Sequence, residues 1–211
     1  MTLCCLSLSL TACLDEHPKD QVPEKEIYDS ANSLYVNAVA SLYNYIGAHE
    51  EGEGLQGTCR GIYDYNTFTT DEAIIPIRGG DWYDGGLWKN MYNHRWTASD
   101  TELYNVWKYL YKVIVLATRS LETIDQHASL LSSAQQQAYK AEVRAVRAMF
   151  YYYAMDMFGR VPLMQKADQT IAETRQIDRS TMFRYIINEL QAVEPLLDDA
   201  HSNLEGNSYG R

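Results

Sequence analysis

The chain has 211 residues, 46% hydrophobic and 22% charged, the balance of one folded domain with a sizeable core rather than of a disordered chain. Its formal net charge is −10 and it holds no basic block, which argues against nucleic acid as a partner, because phosphate binding needs clustered Lys and Arg. No run is long and apolar enough to read as a transmembrane helix.

Residues 1–12, MTLCCLSLSLTA, are apolar and end in small residues, and Leu10-Thr11-Ala12-Cys13 reads as a bacterial lipobox in which Cys13 carries the lipid. No Lys or Arg precedes Lys19, so the positive start of a secretory signal is expected upstream of Met1. Residues 13–29 then form a polar, Pro-punctuated, lipidated tether. Of the four cysteines only Cys59 lies in the body of the chain, so no disulfide framework is expected, and no base is identifiable beside it to make it a nucleophile.

From residue 30 to 211 the pattern is that of a helical domain. A first helix is predicted from about Ser30 to Ile46, with Leu34, Ala38 and Tyr45 on one face, Tyr35, Val39 and Leu42 on another, and Gly47 closing it. Residues 47–102 show no sustained helical period and are punctuated by glycines and aromatics. So long a loop region inside a compact domain is more often functional than idle. Short strands near Tyr63–Phe68 or Ile74–Ile77 are the only regular structure suggested there.

A long helix follows from Asp100 or Thr101 to about Gln126, capped by Asp100 or Ser99, with Val106, Leu110, Val113, Ile114, Ala117, Leu121 and Ile124 as its stripe. Ser133-Ala134-Gln135-Gln136 reads as a capping box that opens a second long helix. This helix carries Val143, Val146, Phe150, Ala154 and Met157 on one face with Arg144, Arg147 and Tyr151 beside them, so it must be covered on more than one side. Gly159 and Pro162 end it. The linker between the two long helices is short, so they must fold back antiparallel. A further helix begins near Ser180 and is ended or kinked by Pro195.

Metal binding is weakly supported, because His17, His49, His94, His127 and His201 are scattered. No phosphate-binding glycine pattern exists, and no cofactor is implied. Asp71, Glu72, Asp81 and Asp84 are eligible as the carboxylate pair of a glycoside hydrolase, but acidic loop residues usually cap turns or pair with arginines. Binding is better supported. Trp82, Tyr83, Trp88 and Trp96 offer ring faces to the C–H face of a sugar, Asp71 and Asp81 can accept from its hydroxyls, and Arg78 can donate. The competing reading is that these rings pack the loop onto the helices.

Thr70-Asp71-Glu72 through Pro76, Arg78-Gly79-Gly80-Asp81-Trp82-Tyr83-Asp84-Gly85-Gly86, then Trp88, His94 and Trp96, looks like a loop found in one branch of the SusD/RagB family. Glu142-Val143-Arg144-Ala145-Val146-Arg147-Ala148 with Phe150 to Tyr152, and Phe158-Gly159-Arg160-Val161-Pro162-Leu163, resemble that family's signature helix and its exit. The resemblance implies a mainly α, tetratricopeptide-like array of helix pairs. It also implies a lipid-anchored protein on the outer face of the bacterial outer membrane, which captures glycans or other nutrients for a SusC-like TonB-dependent transporter and has no catalysis of its own. A scaffold subunit without a ligand site, and an extracellular glycosidase, are the alternatives. Starch-binding members carry paired tryptophans just after the acidic motif. Ile74-Ile75-Pro76-Ile77 stand there in this chain, which points away from starch. The resemblance also implies a longer protein, of which this is the N-terminal portion.

Overall fold

The computed structural model describes residues 24–47, 53–55, 60–170 and 172–197. The signal segment, Cys13, His17, His49, Cys59 and His201 lie outside the described residues. In chain order the helices are α1 (Glu24–Ile27), α2 (Ala31–Leu34), a π-helical segment (Tyr35–Ala40), α3 (Ser41–Tyr43), α4 (Ile62–Phe68), α5 (Leu87–Tyr92), α6 (Thr101–Gln126), α7 (Ser133–Phe158) and α8 (Arg179–Val193). Two short strands, β1 (Val161–Pro162) and β2 (Gln176–Ile177), pair antiparallel and close the connection between α7 and α8.

The core is built on α6 and α7. Val106, Leu110, Val113, Ile114, Ala117 and Ile124 of α6 are fully buried, and burial of each large aliphatic side chain is worth about 1.5–3 kcal/mol relative to leaving it in water. The pair is antiparallel. Asp125 at the end of α6 accepts from Lys140 Nζ at 2.7 Å and Gln136 Nε2 at 3.0 Å near the start of α7. At the opposite end, Trp107 meets the ring of Phe158 edge-on, with centroids 4.9 Å apart.

Helix α7 is central, as its girth of apolar residues predicts. Besides Val143, Val146, Phe150 and Ala154 it buries Ala141, Glu142, Ala148, Tyr151 and Met155. Its other side receives α8, again antiparallel. Glu189 accepts from Arg144 Nε and a terminal nitrogen of the same guanidinium at 2.9 and 2.8 Å, while Arg179 at the start of α8 pairs with Asp156 near the end of α7 at 3.1 Å. Arg147 donates to Tyr185 Oη at 3.1 Å on α8 and to Thr118 Oγ1 at 3.3 Å on α6, so one side chain ties three helices together. The Glu189 carboxyl is held below the usual carboxylate range, first by its bonds from Arg144.

Several boundaries differ from those expected. The capping box of α7 is Ser132 with Gln135, one residue earlier than Ser133 with Gln136. Ser132 Oγ accepts from the Gln135 N–H at 3.3 Å, and Gln135 Oε1 accepts from the Ser132 N–H at 3.0 Å. The run Ser132-Ser133-Ala134-Gln135-Gln136 contains two overlapping matches, and spacing alone does not choose between them. Asp100 occupies the position before α6, but its carboxylate accepts from the Thr97 N–H at 2.8 Å and makes no cap bond to the helix.

The first helix is not one regular α-helix. It starts at Ser30 with a capping interaction from Ser33 and then slips into π register over Tyr35–Ala40. Within it Asn37 Nδ2 takes the Ser33 carbonyl at 2.9 Å and Ser41 Oγ takes the Asn37 carbonyl at 2.7 Å, so side chains compete with the backbone ladder where it slips. The segment is pinned to α7 by Tyr35 Oη and Tyr43 Oη, each donating to Glu142 Oε2 at 3.0 Å. Tyr63–Phe68 belongs to helix α4 rather than to a strand, and Ile74–Ile77 forms neither strand nor helix. Pro195 stands in a 3₁₀ turn, Glu194–Leu196, that ends α8.

Candidate functional site

The loop that joins α4 to α6 is held to the core through one buried ring. Trp88, on α5, is only 2% exposed. Its ring meets Phe68 of α4 edge-on with centroids 5.4 Å apart, and its indole N–H donates to Asp84 Oδ2 at 2.6 Å. Asp84 is also reached by the Arg60 guanidinium at 3.3 Å, and the Arg60 N–H donates to Asp64 at 2.5 Å. Asp64 is buried, and desolvation pushes its carboxyl above the ordinary aspartate value. Trp88 is therefore a correction to the expected ligand contacts. It supports the loop from inside, because the short amphipathic turn Leu87–Tyr92 directs it into the core with Met91.

Above this anchor the loop turns sharply. Arg78 and Asp81 face each other across a two-residue turn, with the Asp81 N–H donating to the Arg78 carbonyl at 3.1 Å and Gly79 at φ 66°. Trp82 follows in the left-handed region at φ 56°, and Asp84 at φ 41°. Non-glycine residues enter that region at the expense of about 1 kcal/mol or more each. The outcome is that the Trp82 ring, 52% exposed, rests against the edge of Trp88 at 6.4 Å while Tyr83 stands 54% exposed beside it. Glycine in the left-handed region at positions 85 and 86 completes the turn into α5.

The remaining candidates form a second group. Trp96 is exposed, and its ring lies 5.5 Å from that of His94. His94 Nε2 lies 2.6 Å from the Thr69 carbonyl oxygen, which fastens the far end of the loop to the start of the Thr70-Asp71-Glu72 motif. Asp71, Arg78 and Asp81 are exposed. The structure thus joins Trp82 to Trp88, Arg78 to Asp81, and Trp96 to the base of the acidic motif.

A polar depression of about 370 Å³ shares Asp84 and Gly85 with the loop and is lined also by Arg60, Asn90, Asp100 and Glu102. Arg60 and Asn90 were not legible as site residues, since each is an isolated polar residue in a stretch without period. A general acid of a hydrolase needs a carboxyl kept neutral in an apolar pocket. Asp71, Glu72 and Asp81 are open to water, and Asp84 is engaged by Arg60 and Trp88. Among the described residues no three His, Cys, Asp or Glu side chains are grouped to hold a metal ion, and no helix is long and apolar enough to cross a membrane.

Residues 56–203 match the model of the SusD-like family, described as starch-binding and associating with the outer membrane. The chain belongs to the SusD-like family. It is similar to a SusD-like protein of Bacteroides ovatus, 27% identical over 205 residues that cover 92% of this chain and 34% of that protein. It is also similar to the starch-binding protein SusD of Bacteroides thetaiotaomicron, 24% identical over 68% of this chain and 24% of that one. A SusD superfamily structure from Bacteroides vulgatus superposes with a TM-score of 0.68 at 15% identity, covering 82% of this chain and 36% of its own, which shows a shared helical fold. The chain therefore spans about a third or less of the length of these relatives.

Proposed function

We propose that this chain is part of a surface lipoprotein that captures glycans or related nutrients and passes them to a SusC-like TonB-dependent transporter in the outer membrane. The observation that carries the reading is Trp82, whose ring is half exposed beside Tyr83, set by a left-handed backbone and seated on the buried Trp88. A pyranose presents a C–H face to such a ring and hydroxyls to carboxylate and guanidinium groups, and Arg78 and Asp81 flank the same turn. The starch-binding name of one relative and the family description support a glycan as the ligand class. Ile74–Ile77, in place of paired tryptophans, favours a glycan other than starch. Trp96 and Asp71 extend the surface from the other end of the loop. Cys13 is the lipid attachment point in this reading, and it keeps the protein on the membrane next to its transporter.

Affinity electrophoresis of the full-length protein through gels containing a panel of neutral and acidic glycans tests capture. Retardation by at least one glycan that is relieved by Trp82→Ala supports it. Migration unchanged by every glycan would leave a scaffold subunit as the function. Anchoring is tested by Cys13→Ala, which is expected to release the protein from the membrane fraction and to remove its protease accessibility on intact cells.

A further inference from the structure

From Leu103 to Leu121, α6 carries Lys108, Lys112 and Arg119 and no acidic residue, in a chain whose net charge is −10. Spacings of four and seven place the three on one helical face, and at 1.5 Å per residue Lys108 and Arg119 lie about 16 Å apart along the axis. All three line one open groove of about 560 Å³, together with the rings of Tyr45, Tyr104 and Trp107. Lys108 Nζ lies 5.2 Å from the Tyr104 ring centroid and Lys112 Nζ 5.0 Å from that of Tyr45, contacts that hold the ammonium groups against the groove wall. Lys112 also pairs with Glu53 at 3.0 Å. Arg119 makes no ion pair or hydrogen bond among the described residues, and it lines a smaller adjoining pocket of about 150 Å³ that continues the groove toward Thr123. Tyr104 is 58% exposed, the most open large ring among the described residues.

We propose that this groove is a second binding site, separate from the 71–96 loop, for an acidic glycan whose uronate carboxylates or sulfate esters recur along its length. A row of cations matches recurring anions, and the interleaved rings meet the C–H faces of the sugars between them. An acidic peptide is the less suited occupant, because the groove is formed by α6 and the turn at Tyr45 and offers no strand edge for an extended backbone. The site does not depend on the loop being a glycan platform.

Isothermal titration calorimetry of the full-length protein with polygalacturonate, chondroitin sulfate and neutral dextran tests it at low and high salt. The acidic polymers are expected to bind, more weakly in high salt, and dextran is expected not to bind here. Both a Lys108→Gln/Arg119→Gln double variant and Tyr104→Ala should weaken the acidic polymers by about tenfold, while Arg184→Gln, an exposed cation on α8 outside both sites, leaves them unchanged. Both sets of substitutions lie on exposed positions, and thermal melts confirm that the variants fold. Absence of acidic-glycan binding, or binding that survives these substitutions, overturns the proposal. So does a polyglutamate peptide that binds as well as the glycans, or acylation labelling showing the Lys108 amine already blocked in the glycan-free full-length protein. If Trp82→Ala leaves neutral-glycan binding intact, the loop reading fails and this one stands.

Discussion

Trp82 and Trp88 are neighbours in contact, and a pair of substitutions separates the buried ring from the one proposed to face the ligand. Trp88 is 2% exposed and packs against Phe68 and Met91, so Trp88→Ala removes a fully buried aromatic and leaves a cavity. Such truncations destabilise by about 3–5 kcal/mol. The lost indole bond adds little, because the Asp84 side chain is 33% exposed and water replaces the donor. In a domain of this size each kcal/mol lowers Tm by roughly 2–4 °C, so a fall of about 6–20 °C is expected by differential scanning fluorimetry. Trp82→Ala removes a ring that is half in water, and stability should change by less than about 1 kcal/mol. Its effect should fall on the ligand. Losing a stacking platform of about 1.5–2 kcal/mol weakens Kd by about ten- to thirtyfold. A melt lowered by only a degree or two in Trp88→Ala would show that the ring is not part of the core. Unchanged glycan affinity in a well-folded Trp82→Ala protein would refute the platform.

Glu189 sits between Arg144 and Arg147 with its side chain 17% exposed, so Glu189→Ala should lie between the surface and buried limits at about 2 kcal/mol, measured by urea denaturation. Because the folded-state pKa of Glu189 is depressed, its contribution is present above the ordinary glutamate pKa and is lost as pH falls through the depressed value. The gap between wild type and Glu189→Gln should therefore close on acidification. Ser132→Ala should lower stability by about 1 kcal/mol, whereas Ser133→Ala, the alternative cap, should be close to neutral. Gly159 has φ 74°, and a methyl group added there would meet nothing within 4 Å. Gly159→Ala should therefore destabilise through backbone strain alone, by about 1–2 kcal/mol, read as a lowered Tm.

The long helices were legible because their apolar residues repeat over several turns, and burial of a whole stripe leaves no other solution for Val106 to Ile124 or Val143 to Ala154. The same periodicity placed Arg144 and Arg147 beside the stripe, and they do join α7 to its neighbours. Of the tyrosines that follow, Tyr151 is buried and bonded to Met164, while Tyr152 stands 48% exposed. What could not be read were the short elements. Helices α4 and α5 run seven and six residues, too few turns for a period to emerge, so their type was set by the tertiary contacts of Ile62, Tyr65, Trp88 and Met91. The π register of Tyr35–Ala40 depends on side chains taking backbone carbonyls, an interaction that hydrophobic pattern does not report. For the same reason the ring composition of the loop suggested a binding surface without distinguishing the exposed Trp82 from the buried Trp88. Both are tryptophans in a glycine-rich run, and only the direction imposed by α5 sends one inward.

That division also explains the backbone of the loop. Trp82 occupies a left-handed conformation that disfavours a bulky side chain, and the ring it carries stays half in water. A sequence selected for stability alone has an easier solution at that position, a glycine, as at Gly79 and Gly85 nearby, with no ring to solvate. The neighbours do the reverse of relaxing it. Arg60 and the Trp88 indole both hold Asp84, two residues on, and the Arg78–Asp81 turn fixes the approach from the other side. A ring carried on a braced backbone loses less freedom when a ligand stacks on it, so the bracing around Trp82 suits the proposed platform. The strain, the exposure and the bracing are together what the proposed glycan platform requires, with Trp88 as the buried footing beneath Trp82.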